Sequence, residues 1–294
     1  WDLHVHTPES YQQNFGDNWD IYVKALKDKA VYHEVEVAGI TDYFSVDGYE
    51  KLKREYAGGK TYLSLENGKK LHLIPCIEFR LDSFDRHDSS INLHLVLNPK
   101  LEVSTIRNAI LHNLDINYRD TALKCKKDDL IKIGYSEFHN GAFDINLDTE
   151  QFDEVEKKKY VRFALGIITI SVDNLKDVLE KSGISREDYL FLIAYKGHGS
   201  LSNMRWSDEQ NRRLGRQGTI KQRLLNMADM CFTNSSEDIN FLLGKSSHTP
   251  FDEFINRFRS IKPSIWGSDA HDLNNLFHPS NGTTQDYTWI KADP

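Results

Sequence analysis

The segment Asp2-Leu3-His4-Val5-His6 places two histidines two residues apart. On a strand such residues project from one face, so both imidazoles can share one metal ion. The spacing alone is weak, because 12 histidines in 294 residues give roughly 0.5 occurrences of His-x-His by chance. Asp269 and His271 form an Asp-x-His pair, and Asp85-Arg86-His87 has the same spacing. Context separates the two. Asp85 and His87 lie in the polar stretch Asp82 to Asn92, which reads as a solvated loop. Asp269 and His271 follow the apolar run Pro263 to Trp266, with Gly267 and Ser268 allowing a tight turn at a strand end, where α/β sites are built. Glu78 closes the apolar run Leu71 to Ile77, and a carboxylate there is costly unless paired or bound to a cation. His94 sits inside Ile91 to Leu97, where a core histidine bonded to backbone is the plain alternative to a ligand. Such groups on four separate strands are hard to explain one by one, and they read together as one site. Imidazole mixed with carboxylate suits Zn, Mn or Fe better than Mg or Ca. A carboxylate can bridge two such ions, and a metal pair can clamp the attacking and leaving oxygens of a phosphoester displacement.

The elements that must position these groups follow an alternating pattern. Short apolar runs at Leu3 to Val5, Val35 to Thr41, Leu71 to Phe79, Ile91 to Leu97, Tyr189 to Tyr195, Met227 to Phe232 and Pro263 to Trp266 read as strands. Amphipathic stretches near Trp19 to Tyr32, Asp47 to Tyr56, Val103 to Leu114, Val172 to Lys181, Asp208 to Asn226 and Phe251 to Ile261 read as helices. Strand alternating with helix predicts parallel βα units, as a doubly wound sheet or a closed barrel. From about Asp115 to Phe163 the rhythm breaks into charge-dense segments, so 115–163 is expected to be an insertion. At 39% hydrophobic and 28% charged residues the chain has the composition of a globular protein. No window approaches a membrane span, and no segment resembles a secretory signal, which predicts a cytoplasmic protein. Cys76, Cys125 and Cys231 are far apart and odd in number, which fits neither a disulfide framework nor a thiolate zinc site, so buried thiols are expected. The net charge of −7 does not advertise nucleic-acid binding, so any such site must be local. The start at Trp1 without Met and the stop at Pro294 read as a fragment of something longer.

The motifs Asp2-Leu3-His4-Val5-His6-Thr7, Gly39-Ile40-Thr41-Asp42-Tyr43, Pro75-Cys76-Ile77-Glu78-Phe79, the strand around His94, and Gly267-Ser268-Asp269-Ala270-His271 resemble, in order and character, those of the PHP (polymerase and histidinol phosphatase) family. Asp47-Gly48-Tyr49, Glu78-Phe79-Arg80, Lys196-Gly197-His198-Gly199-Ser200 and the terminal stretch Tyr287 to Pro294 are similar to TrlF-type proteins, in which this domain precedes an AAA- or SMC-like ATPase. The resemblance implies a distorted seven-stranded (β/α) TIM-like barrel as a single domain. It implies that His4, His6, Glu78 and Asp269 hold one ion, with Glu78 bridging to a second held by His94 and a further histidine, for which His198 is the nearby candidate. A third ion would need ligands where this chain has Tyr11 to Asn14 and Tyr43, which leaves only His271. Two divalent transition metals are therefore expected. Asp42 is expected to orient a ligating imidazole; for Asp2 that role and plain turn capping both stand.

From Lys196 to Arg223 the sequence also carries Arg205, Arg212, Arg213, Arg216 and Lys221, interleaved with glycines and Trp206. For the stretch from Arg212 to Arg223 a solvated amphipathic helix face is the plainer reading. Lys196 and Arg205 flank His198, where they could hold phosphate oxygens, and Arg80 is a similar candidate. The expected function is a metal-dependent phosphoesterase using Glu78, Asp269, His198, Lys196 and Arg205. The resemblance tilts its substrate toward nucleic acid and its setting toward anti-phage defence beside an associated ATPase. A small-molecule phosphatase and an inactive scaffold for an ATPase or a protein assembly are the alternatives, and the chain could oligomerise.

Overall fold

The chain is a computed structural model in which residues 1–119, 121–204, 216–278, 288 and 290 are described. The first half carries β1 (Asp2–Val5), α1 (Trp19–Tyr32), β2 (Val37–Tyr43), α2 (Asp47–Lys51), β3 (Tyr62–Ser64), β4 (Lys70–Phe84), β5 (Ser90–Leu97) and α3 (Val103–Thr105). The π-helical turns Leu52–Tyr56 and Ile106–Ile110 extend α2 and α3. Then come β6 (Asp115–Tyr118), β7 (Thr121–Lys124), α4 (Lys127–Phe138), α5 (Glu154–Leu165) and α6 (Val172–Lys181). The last part carries β8 (Tyr189–Ala194), α7 (Arg216–Met227), β9 (Met230–Phe232), α8 (Ser236–Leu242), α9 (Phe251–Phe258) and β10 (Ser264–Ile265).

One curled sheet runs β1-β2-β4-β5-β8-β9-β10, with β3 added beside β4. Neighbours on both flanks of the path pair in parallel. β5 is antiparallel to both β4 and β8, so the parallel βα expectation fails there. The short turn at 85–89 leaves no room for a crossover helix and forces a hairpin. The far end of the sheet returns to its beginning through a parallel bridge between Val5 and Ala270. Each strand on the path gives one side chain to a small inner apolar cluster, namely Leu3, Val37, Cys76, Val96, Leu192, Phe232 and Ile265. Residues from opposite ends of the path meet there because the sheet curls, which favours the barrel-like of the two expected arrangements. The larger core lies between sheet and helices.

Local chemistry accounts for the elements. Asn18 caps α1 by accepting from the amides of Asp20 and Ile21, and Tyr22, Val23, Leu26 and Ala30 bury one face. All seven residues of β2 are buried, as expected of a strand covered on both sides. A register shift between Asp2 and Val5 bends β1, so that Leu3 and the neighbouring His4 both serve the interior. Segment 115–165 stands outside the curled sheet as the β6–β7 hairpin and the α4–α5 pair. In that pair Gly134 lies so close to the carbonyl of Tyr160 that a Cβ would collide with it. All three cysteines are buried and free. Among the described residues no helix is long and apolar enough to cross a membrane.

Candidate metal centre

His4 and His6 lie at the end of β1, Glu78 faces His94 directly across the β4–β5 pair, and Asp269 and His271 flank the Val5–Ala270 bridge. The sheet therefore brings six of the expected residues to one place. His4 Nε2 lies 3.2 Å from His6 Nε2, 3.1 Å from Glu78 Oε2 and 3.2 Å from Asp269 Oδ1. His6 Nε2 lies 3.5 Å from Glu78 Oε2 and 3.4 Å from Asp269 Oδ1. A tetrahedron of N and O ligands around a transition metal has edges of about 3.3–3.6 Å, from bond lengths of about 2.0–2.2 Å. Five edges of the His4, His6, Glu78, Asp269 set thus fall at or just under that length. His94 Nε2 stands beside this set, 3.3 Å from His4 Nε2 and 3.6 Å from Glu78 Oε2. Among the described residues, the ligand atoms of His4, Glu78 and His94, and those of His4, His6 and Asp269, form close groups.

Hydrogen bonding among these side chains does not satisfy them. Nδ1 of His271 is 2.8 Å from the carbonyl of Gln12, which can only accept, so this nitrogen carries the proton. A neutral ring then turns a bare Nε2 lone pair toward Asp269 Oδ1 at 3.1 Å, and two acceptors at that distance need a further proton or a cation between them. Glu78 is fully buried and its Oε1 has no hydrogen-bond partner. An unpaired buried carboxylate oxygen is costly unless it faces a cation. The donor set fits a divalent transition metal.

The electrostatics agree. Burial opposes protonation of His4, yet Asp269 and Glu78 beside it carry it up to about 9. A proton there occupies the position of a cation. Burial holds His6 down at about 4. Burial also pushes the Glu78 carboxyl up, but the His94 and His4 rings outweigh it and hold the group well below the usual carboxylate range. Asp269 is likewise held low, against burial, by His4, His271 and His6. Its side chain is 56% exposed whereas that of Glu78 is 0% exposed, so the centre opens to solvent on the Asp269 side.

Other expectations land differently. His198 and Lys196 lie exposed on the loop after β8, and His198 belongs to neither ligand group. That loop packs on the β4–β5 hairpin instead, where the Gly199 carbonyl accepts from Asn92 N. Arg205, Trp206, Arg212 and Arg213 and the stretch 279–287 lie outside the described residues, as do 289, 291–294 and the side chain of Arg216. Of the remaining basic stretch, Lys221 is buried and Arg223 pairs with Asp173. Among the described residues Asp42 does not touch an imidazole; it accepts from the amide and hydroxyl of Thr7, the residue after His6. Asp2 accepts from the amides of His4 and Ser268, tying β1 to the turn before Asp269. Asp85 is not solvated. It is buried as the cap of the hairpin turn, accepting from His87 N and Ser89 N.

Several contributors left no mark in the sequence. Ser10 Oγ lies 3.2 Å from His6 Nδ1, and Tyr22 donates to the His6 carbonyl at 2.8 Å. The Phe232 ring packs on His4 and His94. The closing carboxylate Asp269 adopts a left-handed φ of 48°, a conformation Asp tolerates better than most residues.

No family model and no curated protein matches the chain. Two solved structures align over 92% of it and 87% of their own length. One is a Bifidobacterium adolescentis protein provisionally described as a metal-dependent phosphoesterase, 13% identical with a TM-score of 0.37. The other is a Chromobacterium violaceum amidohydrolase with bound sulfate and no metal, 14% identical with a TM-score of 0.38. At these scores the likeness carries no argument, and the centre rests on its own geometry.

Proposed function

We propose that the chain is a metal-dependent phosphoester hydrolase built on a distorted (β/α)7 barrel of the PHP type. One observation carries this reading: three imidazole nitrogens and two carboxylates converge at 3.1–3.6 Å with a buried carboxylate oxygen left unpaired. His4, His6, Glu78 and Asp269 would hold one cation, and Glu78 with His94 would contribute to a second. Bound cations supply Lewis acidity and lower the pKa of water, the chemistry a phosphoester displacement requires. The chain's own part is positional. The Gln12 carbonyl sets the His271 tautomer, Ser10 holds His6, and Phe232 keeps water from the His4 and His94 faces.

The substrate class we favour is nucleic acid. A cavity of about 820 Å³ lies beside Tyr11, lined by Phe138, Phe163, Lys158, Lys159 and Arg162 and also by Asp17 and Glu154, with Asp17 facing Lys158 and Arg162. Phe138 and Phe163 are each 40% exposed, and aromatic faces interleaved with basic side chains suit stacked bases and phosphates. Lys196 on the loop after β8, together with Arg205, is retained as a candidate phosphate contact. Association with an AAA- or SMC-like ATPase and a role in anti-phage defence rest on the sequence resemblance alone.

The test offers single-stranded DNA, duplex DNA, RNA and small phosphomonoesters to the Mn²⁺-loaded or Zn²⁺-loaded chain. Metal content is measured in parallel on Glu78→Gln, Asp269→Asn and the hairpin control His87→Ala. The first two should lose metal affinity and turnover by more than about 100-fold, beyond the effect of outer-sphere partners, while His87→Ala keeps both. Metal retained by Glu78→Gln would overturn the centre. Turnover confined to monoesters would make the chain a small-molecule phosphatase, and metal without turnover would make it a scaffold.

A further inference from the structure

Arg80 lies two residues beyond Glu78 on β4, so both side chains leave one face of the strand about 7 Å apart. Its Nη1 donates to the carbonyls of Gly166 at 2.7 Å and Leu165 at 3.4 Å. Its Cζ lies 4.8 Å from the Tyr11 ring centre and 5.0 Å from that of Tyr43. Those rings meet edge to face at 4.6 Å. Tyr43 lies flat against His6 at 4.9 Å, and His6 stacks on His271 at 4.2 Å. A planar cation is thus locked in place and joined through stacked rings to the metal ligands.

Unlike Arg107, Arg119 and Arg186, which each face carboxylates, Arg80 has no carboxylate within ion-pair distance among the described residues. Its Nε and Nη2 donate to none of those residues either. Carbonyls and tyrosine faces are neutral and leave the charge uncompensated. A half-buried guanidinium is costly to keep without an anion, and its free edge presents two parallel donors of the kind that match phosphate oxygens.

We propose that Arg80 is the anion-binding residue of this centre: Tyr11 and Tyr43 hold its plane, Gly166 and Leu165 orient it, and its free edge takes a non-bridging phosphoryl oxygen of the substrate. The assignment rests on the phosphoesterase reading and adds that the substrate presents an anionic oxygen one strand repeat away from Glu78.

The test uses inorganic phosphate as the probe on the whole chain. In calorimetric titrations Arg80→Gln should weaken phosphate binding about 10- to 100-fold, the range for a lost charge-assisted hydrogen bond. Mn²⁺ stoichiometry should be unchanged, and Arg80→Lys should restore part of the affinity. In the wild-type chain, phosphate should slow phenylglyoxal modification of Arg80 but not of Arg107, read by peptide mass spectrometry. That arm decides the matter if the variants fail to fold. Phosphate affinity unchanged in Arg80→Gln, with or without a lower melting point, would reduce Arg80 to a structural strut and overturn the proposal, as would unprotected Arg80. Either result leaves the phosphoesterase reading standing if the wild type binds metal and turns over substrate. Absence of metal binding in the wild type ends that reading, even where phosphate protects Arg80.

Discussion

Asp42 shows how far burial can move one carboxyl. It is 1% exposed, and a Cβ on Gly48 would collide with it and with Thr7. Burial pushes its pKa up to about 7 against the two hydrogen bonds from Thr7. The unfolded chain releases this proton near 3.8 and the fold keeps it until about 7, so stability from this group falls as pH rises through that window. Asp42→Asn removes the effect. Relative to wild type the variant should gain up to about 1.4 kcal/mol per pH unit between about pH 4 and 7. Urea unfolding at several pH values reads that difference, and a flat one would show that Asp42 ionises freely in the fold. At this scale the clustering of the candidate ligands was legible, because Glu78, His94 and Asp269 interrupt or end apolar runs where such residues need a reason. Their supports were not. The Gln12 carbonyl belongs to the backbone and carries no side-chain signature, and Asp42 serves Thr7 rather than an imidazole because geometry, not residue type, chooses the partner.

At the level of elements, the turn after β10 does the most exacting work. A Cβ on Gly267 would lie 2.5 Å from the Cβ of His4 and 3.1 Å from Asp2 Oδ1. Only glycine lets this turn approach β1 closely enough for Asp269 to reach the imidazoles. Gly267→Ala should therefore lower metal affinity about 10-fold or more and cost about 1–3 kcal/mol of stability by overpacking. Metal titration followed by thermal unfolding checks both, and wild-type affinity in the variant would show that the turn has slack. Strand and helix positions were legible from periodicity: α1 spans the predicted Trp19 to Tyr32. Strand direction was not, because period-two alternation reads the same both ways, so the reversal of β5 depended on the turn at 85–89. The seven-residue α8 escaped because two turns give too short a periodic signal.

Across the molecule, the candidate ligands come from positions 4 to 269, so no sequence-local segment can assemble the centre. Cation binding then belongs to the folded state alone and should raise the melting temperature with concentration. Chelation of purified metal-loaded chain should lower it, and an unchanged melting point would mean that the centre binds weakly or not at all. The large-scale order was legible because it needs only strand count and spacing, whereas the β6–β7 hairpin and the α4–α5 pair were visible only as a break in rhythm.

The Val5–Ala270 bridge gives this arrangement a dynamic consequence. His4 and His6 stand on one bank of the sheet's closing seam and Asp269 and His271 on the other, so a bound ion would act as a clasp between the two banks. Among the described residues two backbone amides donate to backbone carbonyls across the same seam, His6 to Ala270 and Asn14 to His271. In the free protein both should exchange with solvent through local opening. Added Mn²⁺ or Zn²⁺ should slow their exchange while amides in the β4–β5 pair keep their rates. Equal slowing everywhere would mean that the ion stabilises the whole fold rather than fastening one edge of it.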